Sequence, residues 1–228
     1  MQILRPFMIA GIFLFVVILA VSTFWMQEQY LLLGILLVII SIIPFFMRFE
    51  AKRQDARGVV LISMLAAIAA VSRILFAPLP NFKPTSFVII MAGMAFGPES
   101  GFMVGAIAAI LSNIFFGQGP WTPWQMFAWG LMGLTAGLLQ NKSWLKNKYG
   151  RLSFGFAWGF IFGWIMDIWY IIGFISPLTW QTIFGGFAAS LYFDLIHALP
   201  NVFFLGILSK SWMKVFQRIK IKYGLLEN

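Results

Sequence analysis

Apolar stretches long enough to cross a lipid bilayer follow one another along the chain with only short loops between them. No other feature limits its fold so strongly. A spanning helix needs about 20 apolar residues. Stretches of this kind run at 6–25, 30–47, 58–77, 101–117, 123–140, 152–174 and from 180 to about 208, with a shorter one at 85–97. Of the 228 residues, 61% are hydrophobic and 10% are charged, whereas a soluble domain carries about 25% charged residues. Too little polar surface remains to cover a water-facing globule. The expected fold class is therefore an all-α polytopic membrane bundle of eight spans, the last one tilted or broken at Pro200. The run at 6–25 reads as a span rather than a leader, because a signal-peptide core is only about 7–15 residues long.

The formal net charge of +9 turns into a topology once its positions are marked. Arg5 precedes the first span. Arg48, Lys52, Arg53 and Arg57 lie between the second and third. Lys142, Lys146, Lys148 and Arg151 lie between the sixth and seventh, and Lys210, Lys214, Arg218, Lys220 and Lys222 follow the eighth. If the spans alternate, every Lys and Arg except Arg73 and Lys83 falls on one side. Cytoplasmic loops carry such an excess, so the chain is expected in the cell membrane with both termini on the cytoplasmic side. Charge spread over separate loops gives no support to nucleic-acid binding. Attraction to anionic lipid is an adequate further role.

The opposite loops read FAPLPNFKPTS, FGQGPWTPWQ and FISPLTWQT. They are poor in charge and rich in Pro, Gly and aromatic residues. A single Trp there fits an interfacial belt. Trp121, Trp124 and Trp180, grouped with Gln118, Gln125 and Gln181, fit a ligand-binding mouth instead, since belt residues need no amide neighbours.

The chain contains no GxxxxGK[ST] phosphate loop, no HExxH and no GxSxG elbow, and it has no cysteine and one histidine. Any ATP-driven step then needs a partner, and neither catalytic nor metal-ligating residues nor an enzymatic cofactor are expected. Ionisable residues within spans are costly and point to function. Four qualify: Arg73, Asp167, Asp194 and His197. Arg73 and Asp167 fall at similar heights, so an Arg73–Asp167 pair is expected, lining a cavity or fixing helix packing. Asp194 and His197 share a helix face and are expected as a hydrogen-bonded pair. An alternative is a standalone secondary transporter with Asp167, Asp194 and His197 as a proton relay. Small residues recur at four-residue spacing: Gly155, Gly159 and Gly163; Gly101 and Gly105; Gly133 and Gly137; Ala66 and Ala70. The glycines are expected to pack helices within the chain. The Ala66–Ala70 patch, with Ser63 and Ala67 beside it, could receive a helix from another subunit.

From residue 58 to about 210 the chain resembles the six-helix substrate-binding S-component of energy-coupling factor (ECF) vitamin transporters. The resemblance is carried by the first helix with Ala66-Ala67-Ile68-Ala69-Ala70, the Pro-rich loop from Ala77 to Pro84, the short helix after it, and the run from Phe96 to Leu139. That run is similar to the cobalamin-specific CbrT subset. The resemblance implies a division into two extra helices and a basic linker at 1–57, a core at 58–210 and a basic tail at 211–228. It implies a vitamin ligand, with cobalamin or another corrinoid first. Substrate contacts are expected from Arg73, Asn81, Lys83, Thr85, Asn113, Gln118, Trp121, Trp124, Gln125, Asp167, Tyr170 and Trp180. It also implies docking through Ala66 and Ala70 on a transmembrane coupling subunit, which works with two cytoplasmic ATPases that alone bind ATP. The loops at 77–85, 117–123 and 174–180 would close over the ligand.

Overall fold

A computed structural model describes residues 56–223 except Pro80, together with scattered positions between 36 and 50. The first expected span lies outside the described residues, as does most of the second. Every regular element among the described residues is a helix: α1 (Ala56–Leu75), α2 (Thr85–Phe96), α3 (Pro98–Phe116), α4 (Trp121–Leu138), the single turn α5 (Ser143–Lys146), α6 (Lys148–Phe174) and α7 (Trp180–Tyr223). Four of them, α1, α3, α6 and α7, are long and apolar enough to cross a membrane.

Local chemistry sets the breaks. Gly97 at φ 93° turns the chain between α2 and α3, a left-handed conformation that suits glycine, and Pro98 then occupies the first turn of α3. Gly117 at φ 96° ends α3, and Pro120 precedes α4. The Asn147 side chain caps α6 by accepting from the Tyr149 N–H at 3.3 Å. That cap starts the helix at Lys148, earlier than the apolar stretch alone indicates.

The two ends of the bundle differ. Arg57, the α4–α6 connection and the last turns of α7 carry the basic residues, and this is called the basic end. The connections at 76–84, 117–120 and 175–179 form the loop end. All twelve residues of α2 are buried. At about 1.5 Å per residue it is roughly 18 Å long, too short for a 30 Å hydrocarbon layer, and it is enclosed by its neighbours instead.

Glycines let the backbones touch. A Cβ at Gly133 would meet the Gly101 carbonyl, and one at Gly137 would meet Pro98. Along α6, a Cβ at Gly159 would strike Ala198 and one at Gly163 the Asp194 carboxylate. The double GxxxG line thus seats α7, as expected for packing within the chain.

Two expectations are corrected. The last helix does not stop near 208 or break at Pro200; it runs 44 residues to Tyr223 with Pro200 inside. At about 1.5 Å per residue that is roughly 66 Å, longer than a bilayer is thick, and near its basic end Phe216 packs on Phe96 at 5.0 Å. Ala66 and Ala70 do not form a surface patch. They are 0% and 4% exposed, because α1 turns that face toward the core that it shares with α2 and α3. The exposed face of α1 carries Val60, Ser63, Met64, Ala67, Ile68 and Val71.

Candidate functional site

The site starts from Arg73 in the last turn of α1, where a cation meets the negative end of the helix dipole. Its Nη1 donates to Ser112 Oγ at 2.8 Å and to Asn113 Oδ1 at 2.6 Å, both on α3. With its oxygen held by Arg73, the fully buried Asn113 turns Nδ2 to α4. There it donates to Thr122 Oγ1 at 3.1 Å and Gln125 Oε1 at 2.8 Å. Thr122 in turn donates to Gln118 Oε1 at 3.0 Å, and Gln118 Nε2 donates to the Ile110 carbonyl at 2.9 Å. One directional network therefore ties α1, α3, α4 and their connection together at the loop end.

Aromatic faces flank the cation. The Arg73 guanidinium lies 4.5 Å from the Phe116 ring centre and 5.3 Å from that of Trp129. Lys83 Nζ lies 5.1 Å from the same Phe116 ring. Burial and the Arg73 charge hold the Lys83 ammonium below the usual lysine range. Behind Trp129 the rings continue: Trp129 stacks on Phe162 at 5.5 Å and 19°, and Phe162 on His197 at 4.9 Å and 10°. Beside this column, Phe82 packs against Phe203 at 5.4 Å and Phe204 at 5.3 Å, which folds the 76–84 loop onto α7. Asn81 takes the left-handed turn at φ 53° that brings Lys83 back over the bundle.

Buried polar atoms usually have a hydrogen-bond partner. Here Thr85 Oγ1, Trp129 Nε1, Trp169 Nε1 and His197 Nε2 have none among the described residues.

The sequence-predicted residues divide. Arg73, Asn113, Gln118 and Gln125 form one network, with Lys83 beside it and Thr85 opening α2 just below. Trp121 packs edge-on to Trp169 at 5.8 Å. Trp124 is 1% exposed, in the core cluster with Phe102 and Phe127, while Trp180 and Tyr170 are 64% and 53% exposed. The expected tryptophan group is therefore dispersed.

The Arg73–Asp167 pair does not form. Arg73 takes neutral partners because α1 packs on α3, while Asp167 on α6 accepts from Ser190 Oγ of α7 at 2.5 Å. Ser190 also lies 3.2 Å from Asp194 Oδ2. Asp194 thus bends one turn back toward Ser190 rather than to His197, whose ring lies on Phe162. Sequence reasoning missed Ser112, Phe116, Thr122, Trp129 and Phe162 as parts of this end. The one available signal was helical spacing, since Trp129 follows Gln125 by one turn.

These features define a helical membrane protein with a cationic, aromatic-flanked polar network buried at one end. The comparisons make the class specific. A family model described as "ECF transporter, substrate-specific component" matches residues 57–215, and the chain belongs to that family. It is similar to a UPF0397 protein of Vibrio atlanticus (strain LGP32), at 32% identity over 103 residues covering 43% of this chain and 56% of the relative. It is also similar to a UPF0397 protein of Aliivibrio fischeri (strain MJ11), at 31% identity over 89 residues covering 37% and 48%. The chain thus spans about half the length of these curated relatives. No solved structure matches it.

Proposed function

We propose that the chain captures a vitamin-sized ligand at its loop end, on the outer face of the membrane. It releases the ligand inward when coupled to a transmembrane coupling subunit and two cytoplasmic ATPases. One observation carries this reading: Thr85, Trp129 and His197 hold buried polar atoms with no partner among the described residues, and Trp129 links the Arg73 guanidinium through Phe162 to His197. A buried polar group left unpaired costs roughly 1–3 kcal/mol, a cost that a ligand supplying the missing partners would offset. The basic residues, crowded at the other end, support an outward-facing loop end.

Cobalamin or another corrinoid is the first ligand proposed, from the resemblance of residues 96–139. A smaller vitamin or precursor is the second, favoured by the enclosure of Trp124 and the outlying position of Trp180. For the coupling subunit we propose the exposed strip of α1 around Met64, Ala67 and Val71. This strip continues into a groove of about 680 Å³ between the start of α1 and Ile219 and Tyr223 of α7.

A second reading is a proton-coupled transporter acting alone. It is favoured by Ser190, whose single hydroxyl proton faces Asp167, Asp194 and the Phe187 carbonyl together. Calorimetry on the purified chain without nucleotide separates the readings from a chain with no capture role. Submicromolar binding of one member of a vitamin panel supports capture, and no binding across the panel refutes it.

A further inference from the structure

The amino end of α2 combines features that the captured ligand has to answer. Pro84 at the cap offers no side chain to the first-turn N–H groups of this helix. Helix amino ends attract anions through those groups and the dipole. Thr85, the first helical residue, is 2% exposed and its hydroxyl has no partner among the described residues. Two positions earlier Lys83 reaches the face of Phe116, the ring whose centre also lies 4.5 Å from the Arg73 guanidinium.

These two cations therefore meet over one ring in a partly buried place, and neither has an ion-pair partner among the described residues. The acceptors on Arg73 are a hydroxyl and an amide, which orient the guanidinium without neutralising it. That network engages only Nη1, while the guanidinium has five N–H donors in all. Asp167 and Asp194, the carboxylates of the long helices at this end, are turned to Ser190. Taking a charge out of water without a partner is costly, and a pair of like charges adds to the cost.

We propose that the captured ligand is an acid: a planar or ring-containing molecule whose carboxylate or phosphate lies between Lys83, Arg73 and the Thr85 hydroxyl at the amino end of α2. The ring portion lies against the Trp129–Phe162–His197 column, where Trp129 Nε1 and His197 Nε2 supply polar contacts at the ring edges. This rests on the capture reading and narrows it from vitamin-sized molecules to anionic ones.

The test is calorimetry on the full chain in lipid-free detergent with matched pairs: nicotinate and nicotinamide, biotin and biotinamide, and pyridoxal phosphate and pyridoxal. In the pair that binds, the anionic member should bind at least about tenfold tighter, with affinity falling as salt rises. Lys83→Gln and Thr85→Val should each reduce that preference, and Lys83→Arg should keep it; thermal unfolding of each variant reports its fold. Equal binding of the neutral member, or a preference unchanged in K83Q and T85V, overturns the acid and leaves capture standing. No binding by any pair overturns both. Loss of the preference when phosphatidylglycerol is added shows that a lipid headgroup holds the site, and also overturns the proposal.

Discussion

Asn113 is the joint of the network, and replacing it by leucine is the sharpest structural test. Leucine is close in size but removes the acceptor for Arg73 at 2.6 Å and the donors to Thr122 and Gln125 at 3.1 and 2.8 Å. The bond to the charged group is worth about 1.5–3 kcal/mol. Neutral bonds between membrane helices average about 0.6 kcal/mol each. Together they put Asn113→Leu at about 3 kcal/mol of destabilisation, or slightly more for the amide of Gln125 left buried. Ser112→Ala, which removes one acceptor of the same charged group but leaves Asn113 accepting from that Nη1, should cost about 1.5–2 kcal/mol, the lower part of the range for such a bond. Reversible unfolding in mixed micelles, followed by tryptophan fluorescence, measures both. An Asn113→Leu cost within about 0.5 kcal/mol of the parent, the range of ordinary surface substitutions, or equal costs for the two variants, would show that Asn113 does not join the network.

Further expectations follow from single contacts. Gly159→Val drives a side chain into Ala198 and should cost about 1–3 kcal/mol or separate α6 from α7, seen as a lower unfolding temperature. Ala67→Trp on the exposed face of α1 should block ATP-coupled uptake while leaving ligand binding intact. Ala66→Trp, at 0% exposure, should lower the folded yield; equal effects of the two would contradict the orientation of α1. Phe82→Ala removes the contacts with Phe203 and Phe204 and should speed ligand release in stopped-flow experiments with little change in thermal stability. The Lys83 ammonium sits below the usual lysine range through burial and Arg73. A lowered lysine pKa means that the charged form is disfavoured in the fold, so unliganded stability should rise as pH climbs from the lowered value toward 10.5. Lys83→Met should flatten that rise.

The helical membrane class was legible because apolar length is a one-dimensional property: α1, α3, α6 and α7 can be read directly from their stretches. The glycine lines were legible for the same reason, since Gly159 and Gly163 need only a neighbouring helix to close on. Which helix faces which was not. The Arg73–Asp167 pair was expected from similar depth along two spans, but α1 turned Arg73 to Ser112 and Asn113. The AxxxA patch failed in the same way, because burial of Ala66 depends on which face α1 gives to α3. Of the candidate site, Arg73, Asn113, Gln118 and Gln125 stood out as polar groups in apolar surroundings. Trp129 and Phe162 did not, because an aromatic residue in a spanning helix looks the same whether it packs a core or walls a site. Trp124 shows the converse, a loop-proximal Trp that the helix rotates into the core.

We propose that this chain captures its ligand unaided and relies on partners for energy. Uptake of labelled ligand into proteoliposomes tests it most directly, with the chain reconstituted alone under a proton gradient and with the coupling subunit and ATPases supplied with ATP. Ligand is expected to be bound but not accumulated in the first case, and to accumulate in an ATP-dependent way in the second. Gradient-driven accumulation by the chain alone, abolished by Asp167→Asn or Asp194→Asn, would contradict it.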